Sequence, residues 1–407
     1  MTPNPALGVV FHWLGGLASA SFYVPFRCVK RWSWETYWLV GGFFSWIIAP
    51  WVVGLWMTND LPAVLAATPA RTIFWCYFWG LLWGLGNATF GLTMRYLGLS
   101  LGMATIMGYC AAFGTLMPPV FDGVFASSVL GTVSGRVILV GVAVCLGGIA
   151  SAGKAGMSKE KELSAEAKTA VIKEFNLRKG IPVATFSGVM SACFSYGLKA
   201  GDPIKALTLS HGTSTLWQGL PVLVVVLLGG FTTNFIWSVF LNVRNKSGHQ
   251  YISRAERTPE AARIPMLANY LFCALAGVTW YFQFFFYTMG ETQMGKYKFS
   301  SWTLHMASII IFSSLWGIAL HEWKGASART KTWLFVTLLT LVLSTMIVGY
   351  GNYLGTLPAN PPISRVGTPE AVAHAPCVPR PDSSGRLPID RPGSHAVPWA
   401  WNRQASR

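Results

Sequence analysis

Acidic side chains are scarce in this chain, with 15 Asp and Glu against 31 Lys and Arg in 407 residues. Charged residues of both signs reach only 11% while hydrophobic ones reach 52%, a balance that a water-soluble domain of this length rarely shows. No GxxxxGK[ST] follows a strand, so transport driven by ATP would lack its motor, and neither HExxH nor GxSxG occurs. The seven cysteines have no CxxC spacing and mostly fall inside apolar stretches. They read as small core residues, so no disulfide framework, metal site or cofactor is expected. The basic excess forms no single face or stripe, which argues against a nucleic-acid partner. No Lys or Arg precedes the first apolar stretch, and that stretch runs on past Ala18-Ser19-Ala20 to Phe26. An uncleaved first helix is the better reading than a signal peptide.

Long apolar runs are abundant. Ten stretches, near 6–26, 35–57, 72–94, 98–120, 136–153, 181–200, 214–240, 265–290, 300–320 and 332–354, are each close to the length a bilayer needs. About 20 apolar residues at 1.5 Å each cross roughly 30 Å of hydrocarbon, and only helices or closed barrels satisfy their own backbone there. The expectation is an all-α integral membrane protein with ten transmembrane helices. The shortest stretch is 136–153, and 181–200 is the richest in small polar residues. With the N-terminus outside, the inner loops hold 19 basic residues, among them Arg27, Lys30, Arg31, Arg95, Lys154 and Arg244. The outer loops then hold six: Arg71, Arg136, Lys199, Lys205, Lys296 and Lys298. This asymmetry puts both termini on the outer face.

A segment charged with both signs, 154–180, divides the helices into 1–153 and 181–355. It reads as a cytoplasmic linker. Five helices on each side require two homologous halves to be inverted relative to one another. Gly16-Leu-Ala-Ser19-Ala20-Ser-Phe22 is echoed by Gly188-Val-Met-Ser191-Ala192-Cys-Phe194, and Gly80-Leu-Leu-Trp83 by Gly277-Val-Thr-Trp280. Two inverted five-helix repeats, with substrate bound near the midplane between them, is the plan of many secondary transporters. Residues 356–407 hold ten of the 23 prolines and six arginines but no lysine, and read as a disordered tail.

Ionisable groups within membrane spans are costly and are functional candidates by default. His12 lies in the first stretch and His305 in the ninth; Glu35, Asp122 and Glu291 stand at stretch ends. An imidazole suits proton coupling because its charge changes near neutral pH. His305, Glu291 and His12 are therefore the candidate proton-coupling residues. Asn87 and Gln283 stand mid-span near Trp83 and Trp280, and Tyr287 follows one turn later. Aromatic rings with a few amides suit a sugar, whose faces are apolar and whose edges form hydrogen bonds. Trp83, Asn87, Trp280, Gln283 and Tyr287 are the candidate substrate-binding residues.

Longer strings narrow the reading. Phe22-Tyr23-x-Pro25-Phe26, Trp32-Ser-Trp-Glu35-Thr36, Gly91-Leu-Thr-Met-Arg95-Tyr-Leu-Gly98, Gly114-Thr-Leu-Met117, Trp280-Tyr281-x-Gln283-Phe-Phe-Phe-Tyr287, Ser301-Trp302-x-Leu-His305-Met306 and Glu322-Trp323 occur in order. Together they resemble the L-rhamnose–proton symporter family of the drug/metabolite transporter superfamily. The resemblance spans 6–355, and departs in Gly290–Gln293, in Lys296-Tyr297-Lys298 and across Lys205–Arg263. It implies uptake of L-rhamnose with a proton across the bacterial inner membrane, by ten helices in two inverted halves. Another sugar or metabolite as cargo is the alternative within the same fold. A membrane-embedded enzyme would need an acid, a base and a nucleophile converging at one depth, and the sequence offers no such cluster.

Overall fold

The computed structural model describes residues 3–162, 176–252 and 264–357. Lys168 and Lys173 of the expected linker lie outside the described residues, as do Arg254, Arg257 and Arg263 of the next inner loop and all of the expected tail from Pro358 onward. Every regular element among the described residues is helical. In chain order they are α1 (Pro5–Ser21), α2 (Tyr23–Phe26), α3 (Trp34–Phe43), α4 (Ala49–Met57), α5 (Leu61–Ala67), α6 (Ala70–Leu97), α7 (Leu99–Phe121) and α8 (Val133–Lys161). The second half adds α9 (Leu177–Ala200), α10 (Asp202–Ser210), α11 (Leu220–Asn245), α12 (Met266–Gln293), α13 (Ser301–Ala319) and α14 (Ala328–Leu354). A π-helical turn, Phe44–Ile48, joins α3 to α4 without breaking the rod.

Local chemistry sets the helix ends. Asn4, Thr132, Asn176 and Ser327 each accept a backbone N–H of the following first turn, satisfying donors that a helix leaves free. Between α6 and α7 the chain turns at Gly98, whose φ of 76° lies in the left-handed region that glycine enters without a Cβ clash.

Nine helical stretches among the described residues are long and apolar enough to cross a membrane. The chain is a multi-pass membrane protein. The expected stretch 72–94 is the exception: it forms the 28-residue α6, yet α6 is not among the nine. Its middle interleaves Leu81, Leu82 and Leu85 with Trp, Tyr, Gly and Asn, and those four residue types carry little hydropathy. The helix expected at 136–153 outruns its apolar stretch, because α8 continues to Lys161.

Helix pairing is tight where side chains are small. A Cβ on Gly80 of α6 would overlap the Val226 carbonyl of α11, and one on Gly277 of α12 would overlap the Gly41 carbonyl of α3. Such close backbone approach is how membrane helices gain packing without a hydrophobic driving force. Between α8 and α14, Ile138 meets Gly351, Gly141 meets Val348 and Gly148 meets Leu341. One number rises as the other falls, so these two helices run antiparallel. Hydroxyls reinforce the same seam: Ser151 and Thr337 meet at 3.0 Å, and Ser344 donates to the Gly141 carbonyl at 2.8 Å.

Candidate functional site

A cavity of about 210 Å³ opens at one end of the bundle. Its walls come from the end of α7 (Gly114, Pro118, Asp122), from α9 (Ser195, Lys199), from Asp202, from α12 (Tyr287, Glu291) and from the connection Gly295–Phe299. It is smaller than the roughly 300–1,000 Å³ of drug-sized sites, a scale that suits a small polar solute.

Charges of alternating sign run along this cavity. Asp122 meets Lys199 at 3.2 Å, Lys199 meets Asp202 at 3.0 Å, Asp202 meets Lys205 at 3.1 Å, and Lys205 meets Glu291 at 3.0 Å. The first two links are nearly half in water, where an ion pair is worth about 0–1 kcal/mol. The last is different, because the Lys205 side chain is 6% exposed and that of Glu291 is 14% exposed. A cation so shielded needs its carboxylates, and removing one partner is far more costly than never burying the pair. Sequence reasoning put Lys205 in an outer loop and missed it. Its only signal was the i, i+3 spacing of Lys199, Asp202 and Lys205.

One helical turn before Glu291, the Tyr287 ring forms the inner wall of the cavity. That ring stands edge-on to His12 at 5.2 Å, to His305 at 5.3 Å and to Trp302 at 5.7 Å. Both histidines have no exposed surface. Among the described residues none of their ring nitrogens has a hydrogen-bond partner, nor does Gln283 Nε2. Such atoms cost about 1–3 kcal/mol each when left unpaired, and some hydroxyls of this seam avoid that cost. Ser308, for example, is satisfied by the carbonyls of His12 and His305 at 2.9 and 2.8 Å. Trp302 is held by donating to the Cys110 carbonyl at 3.0 Å.

The expected pair Trp83 and Trp280 meets, with ring centres 5.8 Å apart. Trp46, carried on the π-helical turn, stands edge-on to both at 6.2 and 5.7 Å. Phe194 stacks on Phe284 at 3.8 Å beside them. These rings fill the bundle centre rather than lining an open wall. Asn87 sits half-buried one turn along α6 from Trp83. Of the eight candidates, Tyr287 and Glu291 line the cavity, His12 and His305 lie against the Tyr287 ring, and Gln283 is buried one turn before Tyr287 on α12. Trp83 and Trp280 belong to the central ring cluster.

Away from that cavity the aromatic rings pack closely. Only about 10 Å³ remains among Phe22, Phe26, Trp38, Trp46 and Trp280. Beyond them Glu35 is buried and accepts from Ser247 Oγ at 2.7 Å and from Asn245 Nδ2 at 3.0 Å.

A family model described as L-rhamnose-proton symport protein matches residues 1–353. The chain belongs to this symport-protein family. Symport-family members with curated names resemble it over almost their whole length. An L-rhamnose-proton symporter of Pectobacterium carotovorum subsp. carotovorum (strain PC1) is 37% identical over 350 residues, 86% of this chain and 98% of that protein. One from Cronobacter sakazakii (strain ATCC BAA-894) is 37% identical over 348 residues, 85% of this chain and 97% of that protein. One from Yersinia pestis (strain Pestoides F) is 36% identical over 348 residues, with the same two shares. The symport-family match stops one residue before the end of α14 at Leu354.

Proposed function

We propose that this protein imports L-rhamnose together with a proton across the bacterial inner membrane. The observation that carries the reading is its 37% identity to an L-rhamnose-proton symporter across 98% of that relative. The cavity supports it, since a partly shielded carboxylate, Glu291, lines the open end and stands one turn from the ring that covers two histidines. In this reading Trp83, Asn87, Trp280, Gln283 and Tyr287 serve the substrate, and one of Glu291, His305 and His12 carries the proton.

The frame for alternating access is ten spanning helices, α6 included, in two inverted halves. The contacts support this through matched sets. Exchanging each helix of one half for its counterpart turns α6–α9 into α12–α1, α6–α11 into α12–α3, and α7–α9 into α13–α1. It turns α7–α8 into α13–α14, while α8–α14 maps onto itself. All of these pairs are in contact. The echo reaches single residues, because Gly80 against Val226 maps onto Gly277 against Gly41. By the positive-inside asymmetry, both termini and the open cavity face outward.

Proteoliposomes loaded with a pH-sensitive dye test the coupling. Adding L-rhamnose outside is expected to acidify the lumen, and Glu291→Gln is expected to abolish accumulation while sparing sugar exchange. Acidification by a different sugar or metabolite, with none by L-rhamnose, would move the cargo and keep the frame. A conformational exchange can be biased only by unequal affinity for its two states. A proton that left the sugar's distribution unchanged would therefore refute symport.

A further inference from the structure

Five buried polar atoms carried on α1, α12 and α13 have no partner among the described residues. They are both ring nitrogens of His12, both of His305, and Nε2 of Gln283. The Tyr287 ring touches both imidazoles, and the Phe284 ring lies 5.7 Å from His305. Gly15 closes the seam from α1: a Cβ there would stand 3.5 Å from the His305 ring and 2.7 Å from the Gln283 carbonyl oxygen. On the other side, a Cβ at Gly290 would come within 2.8 Å of the His12 ring. A side chain at Gly290 would therefore press on His12, and one at Gly15 on the Gln283 carbonyl. Ser308, also in this seam, is already satisfied by backbone carbonyls and holds α1 to α13.

The donor and acceptor pattern says what kind of group would match. A neutral imidazole offers one donor and one acceptor, and an amide nitrogen offers two donors. Buried polar atoms are nearly always paired, so several unpaired ones at one place suit a ligand that both donates and accepts. A sugar hydroxyl does both. A deoxyhexose also carries an apolar methyl edge, and the rings of Tyr287, Phe284 and Trp302 around His305 are apolar on their faces.

We propose that His12, His305 and Gln283 form the pocket that reads the sugar's hydroxyl groups, with Tyr287 as the wall between that pocket and the cavity. The two histidines are then specificity residues and stay neutral through the cycle. The proton is left to Glu291, which faces the cavity and Lys205. This deepens the sugar–proton reading above and rests on it. It divides the roles of the three ionisable candidates, which the sequence could not do.

Exchange of labelled for unlabelled L-rhamnose in proteoliposomes tests it, because exchange needs the sugar site and no net proton movement. His12→Asn and His305→Asn are each expected to raise the half-saturating sugar concentration about tenfold, the scale of one lost hydrogen bond. Monodeoxy analogues give the readout that a merely structural role would not move. For the wild type, loss of the hydroxyl that a histidine reads is expected to weaken competition about tenfold. For the matching variant, parent sugar and analogue should compete equally. Should either variant misfold, the wild type labelled with ¹⁵N-histidine answers the question, since the ring signals of His12 and His305 must shift when L-rhamnose is added. Unchanged ring signals in protein that exchanges L-rhamnose would overturn the proposal, as would folded variants with wild-type half-saturation. A wild-type protein that exchanges no L-rhamnose would instead sink the cargo assignment, and this inference with it.

Discussion

Replacing Lys205 by Met removes one charge while keeping most of the side chain's volume. The residue is 4% exposed, and its Nζ lies 3.0 Å from Glu291 and 3.1 Å from Asp202. Asp202 is 42% exposed and keeps Lys199 as a partner, so its share of the loss is about 0–1 kcal/mol. Glu291 is left with an uncompensated charge in a site only 14% exposed. Breaking a shielded pair in this way costs about 3–5 kcal/mol, and the partial exposure puts Lys205→Met near the low end, about 3 kcal/mol. Glu291→Gln should cost less, because Lys205 retains Asp202. The double variant has no stranded charge, so it should be more stable than the two single losses predict by about 1 kcal/mol or more, as contacting pairs are. Unfolding by graded detergent addition in lipid bicelles, run on all four proteins, measures this coupling. Losses that add to within about 0.5 kcal/mol would show that Lys205 and Glu291 do not act as a pair, and would remove the electrostatic account of the cavity.

Three further expectations follow from other parts of the bundle. Gly80→Ala and Gly277→Ala should each destabilise by about 1–3 kcal/mol, the usual cost of overpacking, because each Cβ meets a backbone carbonyl; equal stability in the same unfolding assay would contradict the seam described. Glu162 sits at the mouth of the α8–α14 pair, accepting from the hydroxyls of Ser327 and Thr330 at 2.5 Å each. Hydrogen bonds from Ser327 first and then Thr330 hold its carboxyl below the ordinary range. A depressed carboxyl stabilises above its ordinary range and loses that effect as pH falls through the lowered value. Amide exchange at Ser327 and Thr330, corrected for intrinsic rates, should therefore speed up only on acidification, and Glu162→Gln should abolish that dependence. Cys28 is the exposed cysteine among the described residues, the other five being buried. In a Cys377→Ser background, an impermeant maleimide should label it only after cells are permeabilised; labelling of intact cells would reverse the topology.

The positions of the helices were legible because the length of an apolar run is a direct consequence of bilayer thickness. Their ends were less so. The apolar run of α8 stops near Ala152, yet the helix continues to Lys161. Lys154 lies over the Trp333 ring at 4.8 Å and Lys159 over Trp323 at 4.6 Å, so charged residues prolong the helix by packing their stems and heads on α14 and its approach. The functional region divides in the same way. Tyr287, His12 and His305 stood out because polar groups at mid-span are rare, and the fold brings all three into contact. Lys205 did not stand out. Its burial depends on Glu291, 86 positions away, and nothing local in the chain reports that. Trp83 and Trp280 do meet, but as rings packed edge-on against Trp46.

Labelled L-rhamnose uptake into proteoliposomes holding the purified protein, with and without an imposed inward proton gradient, bears most directly on the central claim. The account expects sugar to accumulate above its outside concentration only while the gradient lasts, and to run back out when a protonophore is added. Uptake that merely equilibrates, indifferent to the gradient in protein shown to be folded, would contradict it.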